Sequence, residues 1–335
     1  MLSPNIDLTT DGVRHGMLPL IHSDHRHAHS VIPIPITVIC RGSGPTVLIT
    51  AGVHGDEFAG ILAARQLIAE LPSQDVRGRI IVMPQLNLPA CRANARVSPL
   101  DDQNLNRVFP GATTGAPTAQ IAHYVEEGLL PSVDFAIDLH SGGTTARYVP
   151  SAFLYWREGA LMAAKSAAAE AFGLPVTLVV DAPMSAGSLL GACDRKEVPA
   201  IACEVAGGIT LERQAIAATR EAVYRVLQHL GVLASLPPEV APPKPTRFVR
   251  LAFGALNAVI SPASGGLIPL CYPGDIVEAG AAAALLYPME DQSLPPQPLP
   301  FPKSGIVTSV IARAEVRAGD MICLIGEPED DAPRA

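Results

Sequence analysis

The chain has 335 residues, of which 48% are hydrophobic and 17% charged, enough apolar material for a large core and a second, smaller unit. A net charge of -8, no run of Lys and Arg, and only 4% aromatics exclude nucleic acid and anionic membranes as partners, because neither an electrostatic footprint nor a base-stacking surface is present. The apolar run Val31 to Cys40 is short and broken by Pro33 and Pro35, so no segment reads as a membrane span. No basic stretch followed by an apolar segment opens the chain, and the expected location is the cytoplasm. The six cysteines (Cys40, Cys91, Cys193, Cys203, Cys271 and Cys323) are scattered without a Cys-x-x-Cys pair. They read as small buried hydrophobes in a reducing compartment.

Residues 1 to about 30 are polar and read as irregular. Within them the tract His22-Ser-Asp-His25-Arg-His27-Ala-His29 has a metal-binding composition but nothing to fix its geometry, and reads as a solvated loop. Ile36 to Cys40 and Thr46 to Thr50 read as strands split by the turn Gly42-Ser-Gly-Pro45. Gly42 and Gly44 do not make a dinucleotide loop, because Val47 takes the third glycine position and a strand follows. Ile61, Ala64, Ile68 and Leu71 recur at helical spacing, and Pro72 closes that helix. Arg79 to Pro84 is a predicted strand. Leu88 to Gly115 is a long polar loop rich in Asn, Asp and Arg, and loops of that length are usually functional.

Further on, the pattern predicts a helix over Thr118–Leu130, a strand over Val133–Leu139 and a helix from Glu158 to Phe172. Strands at Val176–Val180 and Val198–Cys203 and a helix over Leu211–Leu230 follow. Alternating strands and helices predict an α/β sheet covered on both faces, with its site past the carboxyl ends of the strands. The prolines of 237–246 read as a linker between a catalytic domain, residues 1–236, and a small all-β domain, residues 247–330. That second unit carries a weak repeat at an offset of 39 residues: Gly266-Leu-Ile268 matches Gly305-Ile-Val307, and Val277-Glu-Ala-Gly280 matches Val316-Arg-Ala-Gly319. Two strand-turn-strand copies predict a barrel-sandwich-like module with pseudo-twofold symmetry. It lacks the lysine of carrier domains of that kind and reads as structural or as a lid.

Three fragments carry the chemistry: His54-Gly-Asp-Glu57 at a turn into a helix, His140 at the end of an apolar run, and Glu204 at the end of another. They supply two imidazoles and a carboxylate for a metal, plus a spare carboxylate for proton transfer, the pattern of a catalytic site with an open fourth position. Each fragment alone has an ordinary reading too: a loop histidine, a first-turn acid that complements the helix dipole, an exposed strand-end acid. Asp138 shares strand parity with His140 and can orient its imidazole or cap a turn. Ser141 lacks a nucleophile elbow and a base. Asn104-Leu-Asn106-Arg107, with Arg96 upstream, suits recognition of a carboxylate, since a guanidinium fork binds it bidentately.

In this order and context, His54-Gly-Asp-Glu57, Asn104-Leu-Asn106-Arg107, Asp138-Leu-His-Ser141 and Glu204 resemble the succinylglutamate desuccinylase/aspartoacylase family, relatives of the zinc carboxypeptidases. The resemblance covers nearly the whole chain. The run Arg96 to Gly111 looks most like the branch that deacetylates N-α-acetyl-2,4-diaminobutyrate in ectoine breakdown. It implies an α/β/α sandwich with a mixed sheet, like that of the zinc carboxypeptidases, plus the small C-terminal β domain. It also implies one zinc ion per subunit held by His54, Glu57 and His140, with Glu204 as general base and then acid. Arg96 would polarise the scissile carbonyl, and Asn106 and Arg107 would hold the substrate's α-carboxylate. The reaction implied is removal of an acyl group, acetyl in that branch, from a small-molecule N-acyl amino acid by a homo-oligomeric enzyme. Val205-Ala-Gly-Gly208 after Glu204 departs from the Leu-Gly-Gly type of run expected in that branch. A diaminobutyrate side chain is cationic and calls for an acid, with Asp101, Asp102 and Asp181 as candidates. Two rivals stand beside this reading: a zinc carboxypeptidase acting on short peptides, and a non-catalytic metal-binding relative.

Overall fold

The computed structural model describes residues 2–23, 25, 28–181, 186–207, 211–329 and 332. The strands of the first two thirds are β1 (Gly12–His22), β2 (Ser30–Arg41), β3 (Thr46–Ala51), β4 (Gly78–Met83), β5 (Phe135–Ser141), β6 (Ala146–Tyr155), β7 (Val176–Val180) and β8 (Ala200–Gly207). Between and after them run the helices α1 (Phe58–Glu70), α2 (Leu88–Ala93), α3 (Pro117–His123), α4 (Ala160–Phe172), α5 (Leu189–Arg195) and α6 (Arg213–His229). The remainder is β: β9 (Arg247–Leu251), β10 (Ala258–Ile260), β11 (Gly265–Pro269), β12 (Ile276–Val277), β13 (Ala282–Tyr287), β14 (Gln297–Pro300), β15 (Gly305–Ile311), β16 (Glu315–Val316) and β17 (Met321–Pro328).

The main sheet has 13 strands in the order β1-β2-β4-β3-β5-β8-β6-β7-β9-β17-β15-β12, with β10 on β17 and β15 also on β6, and is mixed. β3 is parallel to β4 and β5, and β5 to β8, whereas β6 is antiparallel to β8. Every residue of β3 and β5 is buried, as expected for strands covered on both faces. Val47, Ile49, Ile137 and Ile201 pack on one face with residues of α1, α4 and α6. Leu48, Ile81, Ala136 and Ala202 pack on the other with residues of α3 and α5. The result is an α/β/α sandwich. None of the helices among the described residues is long and apolar enough to cross a membrane.

Four local readings change. The N-terminal stretch expected to be irregular holds β1, which pairs with β2 over eleven residues; Pro19 opposite Pro33 and exposed polar positions hide its strand pattern. The His22–His29 tract is the β1–β2 connection, and Asp24, Arg26 and His27 lie outside the described residues. The long loop after Leu88 opens with α2, capped by the Asn87 side chain. β6 escapes the pattern because Pro150 interrupts it and the pairing with β8 shifts between Tyr148 and Ser151. Finally, residues 247–251, assigned by sequence to the small unit, form β9 and pair in parallel with β7 and antiparallel with β17.

Beyond β9 the offset-related segments become corresponding strands. β11 pairs with β16 and β12 with β15, so each copy completes its sheet with a strand from the other. A separate core of Leu267, Ala283, Leu286, Val307, Ile322 and Ile325 lies between. This module is stitched to the main sheet by β15 on β6 and β17 on β9.

Sheet register builds the site. Thr50, Asp138, Ala202 and Phe153 form one cross-strand row, and His140, Glu204 and Ser151 form the next. Helix α1 must lie close over β5, because a Cβ on Gly60 would stand 2.6 Å from the Leu139 carbonyl oxygen. Gly60→Ala is therefore expected to destabilise the fold by about 1–3 kcal/mol through overpacking, measured by urea unfolding. Unchanged stability would show that α1 can move away from the strand that carries His140.

Candidate active site and metal centre

Residues that the chain separates by up to 86 positions meet at the carboxyl ends of β3 and β5. The His54–Glu57 turn follows β3 and enters α1. Glu57 stands at the helix N-cap, yet its carboxylate makes no cap hydrogen bond. It turns instead between two imidazoles: Oε1 is 2.7 Å from His54 Nδ1 and Oε2 is 2.8 Å from His140 Nδ1. The Ser141 backbone N–H also donates to Oε2 at 3.1 Å. The two rings are 5.1 Å apart. The ligand-capable atoms of His54, Glu57 and His140 all lie within 4.8 Å of one another, and all three residues are buried.

Each imidazole is oriented from behind. His140 Nε2 donates to Asp138 Oδ2 at 2.7 Å, and Thr50 Oγ1 donates to Asp138 Oδ1 at 2.7 Å. Asp138 therefore takes the orienting position rather than a turn role. His54 Nε2 donates to Asn104 Oδ1 at 3.1 Å, an oxygen that also accepts the Asn106 backbone N–H at 2.9 Å. Because a backbone N–H can only donate, that amide oxygen is fixed as the acceptor, and His54 must carry its proton on Nε2. Both rings then present Nδ1 to Glu57. Neighbouring Asp56 braces the turn, accepting from the backbone N–H and the hydroxyl of Thr144, both at 2.9 Å.

The electrostatics call for a cation. Burial pushes the Glu57 carboxyl up, but the charges of His54 and His140 outweigh it and hold the group well below the usual carboxylate range. Burial disfavours charge on His140 too, yet Asp138 and Glu57 on either side raise its pKa well above the ordinary histidine value. Carboxylates that raise the pKa of the imidazole between them form a pocket of negative potential. Two neutral imidazole nitrogens and a carboxylate oxygen are the donor set of a catalytic metal site, so the residues fit a metal.

Glu204 stands opposite His140 in register. Its Oε2 is sealed from solvent and has no hydrogen-bond partner. Burial, and then the nearby Glu57 charge, push its carboxyl up to about 8. Arg96 reaches the same point from the loop after α2: its Nη1 donates to Glu57 Oε1 at 3.3 Å. Asn106 and Arg107 sit in a short 3-10 turn at 105–107 and line the same cleft as His54, Arg96, His140 and Glu204. The Asn106 Oδ1 accepts the Leu189 backbone N–H at 2.9 Å, tying the turn to α5, while Arg107 Nη1 donates to the Asn106 carbonyl. Six of the seven expected site residues thus line one cleft of about 190 Å³, and Glu57 stands behind it between the two histidines.

The acids expected near a cationic side chain do not join them. Asp101 accepts from the backbone N–H and hydroxyl of Thr118, and Asp181 pairs with Arg250 at 2.7 Å. Asp102 is exposed. The sequence reading also missed Thr50, the role of the Asn104 oxygen, and the aromatic wall of Tyr148, Phe153, Tyr155 and Phe253. Asn104 was in a motif already noted; the rings of β6 could be found only after the strand itself was recognised.

Comparison with known proteins agrees with this geometry. Residues 43–230 match the family model of the succinylglutamate desuccinylase/aspartoacylase catalytic domain. The N-alpha-acetyl-L-2,4-diaminobutyric acid deacetylase of Halomonas elongata is 34% identical over 97% of this chain and 95% of that protein. The product-bound structure of the ectoine utilization protein EutE (DoeB) from Ruegeria pomeroyi superimposes with a TM-score of 0.92 at 34% identity, over 97% of this chain and 98% of that one. A succinylglutamate desuccinylase/aspartoacylase from Rhodobacter sphaeroides gives a TM-score of 0.91 at 31% identity, covering 98% of this chain and 99% of the other. The chain belongs to the succinylglutamate desuccinylase/aspartoacylase family, hydrolases that act on N-acyl amino acids.

Proposed function

We propose that the protein is a zinc-dependent deacylase that cleaves an acetyl group from an N-α-acetyl amino acid, with N-α-acetyl-2,4-diaminobutyrate as the leading substrate. The observation that carries the reading is Glu204, a half-buried carboxylate on the cleft wall whose enclosed Oε2 has no hydrogen-bond partner, one strand from His140. Binding a metal does not need it, whereas proton transfer beside a metal does. His54, Glu57 and His140 would hold one zinc ion per subunit, which would supply Lewis acidity and make a water acidic enough to be a nucleophile near neutral pH.

The protein's own groups do the rest. Glu204 takes a proton from the attacking water and passes it to the departing amine nitrogen, so amide and water become a carboxylic acid and a free amino acid. The Arg96 guanidinium swings from Glu57 to donate to the acyl oxygen as negative charge builds there. Arg107, with Asn106, holds the α-carboxylate in a charge-assisted hydrogen bond. We further take the division between the two units to fall after Leu251, because Val249 and Leu251 pack in a core of the main sheet, whereas most apolar residues of the later strands share a core of their own. The buried cysteines support a reducing, cytoplasmic setting, and we expect a homo-oligomer from the family.

The test is release of free amino acid by zinc-loaded protein from acetyl-diaminobutyrate, acetyl-aspartate, succinyl-glutamate and a blocked dipeptide. Activity on the acetyl amino acids is expected to vanish with a chelator and return with zinc; cleavage of the dipeptide alone would make the protein a carboxypeptidase. Glu204→Gln should keep its zinc yet lose about 10²–10⁴ in rate. Glu204 works as a base only when ionised, so kcat/KM should rise with pH along a limb lying above the usual carboxylate range. That limb should be absent from the residual activity of the glutamine variant, and its persistence there would assign it to another group. Arg107→Ala should raise KM for substrates with a free α-carboxylate by about 10- to 100-fold while sparing their methyl esters; equal damage to both would give the arginine a different task.

A further inference from the structure

A cationic substrate side chain needs a partner, and the cleft does not offer the usual one. Among the described residues the only carboxylate lining it is Glu204, which the chemistry uses. What the cleft has instead is rings. The chain holds one Trp, six Tyr and eight Phe, and four of these, Tyr148, Phe153, Tyr155 and Phe253, line this one cleft.

The rings are gathered by a backbone irregularity. Along a regular strand Tyr148 would point away from the face that carries Phe153 and Tyr155. The pairing of β6 with β8 shifts by one residue, from Tyr148 opposite Ala206 to Ser151 opposite Glu204. That bulge, at Val149-Pro150, returns Tyr148 to the face of Ser151 and Phe153. The Phe153 and Tyr155 rings meet edge to face, with centroids 5.4 Å apart and planes at 86°. Burial raises the pKa of both tyrosine phenols, so they are neutral rings whose faces carry negative quadrupole density.

We propose that this aromatic wall on β6, with Phe253 beside it, receives the substrate's side-chain ammonium on its ring faces and selects a cationic side chain without a carboxylate. The proposal rests on the deacylase reading and deepens it. A wall of this kind fits a primary ammonium on a short aliphatic stem: the stem packs on the rings, and the charge sits over a face within about 6 Å of its centroid.

The experiment compares kcat/KM of the zinc-loaded full chain for N-α-acetyl-2,4-diaminobutyrate and N-acetyl-norvaline, which replaces the ammonium by a methyl group. The parent should favour the cationic substrate by about 3- to 30-fold. Phe153→Leu and Tyr155→Leu should each bring that ratio towards one, and Phe153→Tyr, which keeps a ring, should restore most of it. A parent that prefers norvaline, or leucine variants that lose both substrates in parallel, would overturn the proposal. Calorimetry with propylammonium and butyramide tests the wall apart from turnover: Phe153→Leu should weaken the cation alone. If neither acyl amino acid is hydrolysed but propylammonium binding depends on Phe153, the deacylase reading fails and the ammonium site stands. If propylammonium binds no better than butyramide, the ammonium site fails.

Discussion

The site depends on one buried carboxylate. Glu57 is 2% exposed, and a lone carboxylate in that position would carry a desolvation cost of several kcal/mol. It is stabilised because each oxygen faces an imidazole nitrogen, and those nitrogens are aimed by groups further out. Asp138 with Thr50 holds one ring, and the Asn104 amide holds the other. The arrangement is therefore a closed chain of dependence. Moving Asp138 frees His140, and with it half of what keeps Glu57 ionised. The same negative cluster is what would retain a divalent cation, so stability of the fold and capacity for metal are two expressions of one charge distribution.

Parallel pairing turns this local chemistry into geometry. β3, β5 and β8 end together, so residues at equivalent heights on adjacent strands face one cleft. His140 and Glu204 are 64 positions apart in sequence, yet the β5–β8 register makes them neighbours. The loop after α2 then closes over the strand ends and delivers Arg96, Asn106 and Arg107. Its anchor is the Asn104 oxygen shared between a ring and a backbone N–H, which joins His54 to the turn carrying Asn106 and Arg107 through a single atom.

Much of this was legible in the chain. The apolar runs ending in His140 and Glu204 marked strand tips, because strands buried on both faces read as continuous apolar runs, and the helical spacing after His54-Gly-Asp-Glu57 marked a turn entering a helix. What was not legible has identifiable causes. β6 was hidden by Pro150 and its bulge, and with it three aromatic lining residues. β1 was hidden by exposed polar positions on a sheet edge. The acids proposed for a cationic side chain were chosen by composition, and tertiary structure assigned Asp101 to Thr118 and Asp181 to Arg250; no local pattern distinguishes a carboxylate used for support from one left for a ligand.

The exchange of strands between the two copies of the C-terminal repeat has a bearing on how the molecule is made. Synthesis runs from residue 1 onward, and the elements that carry the metal-capable cluster emerge early. β6 and β9, however, receive their last hydrogen-bonded neighbours only from β15 and β17, and β11 and β12 wait for β16 and β15. Until residues 305–328 leave the ribosome, the nascent protein carries several unpaired strand edges at once, and such edges are templates for aggregation. The burden of protecting the growing chain thus falls late in translation, long after the reactive centre has been written.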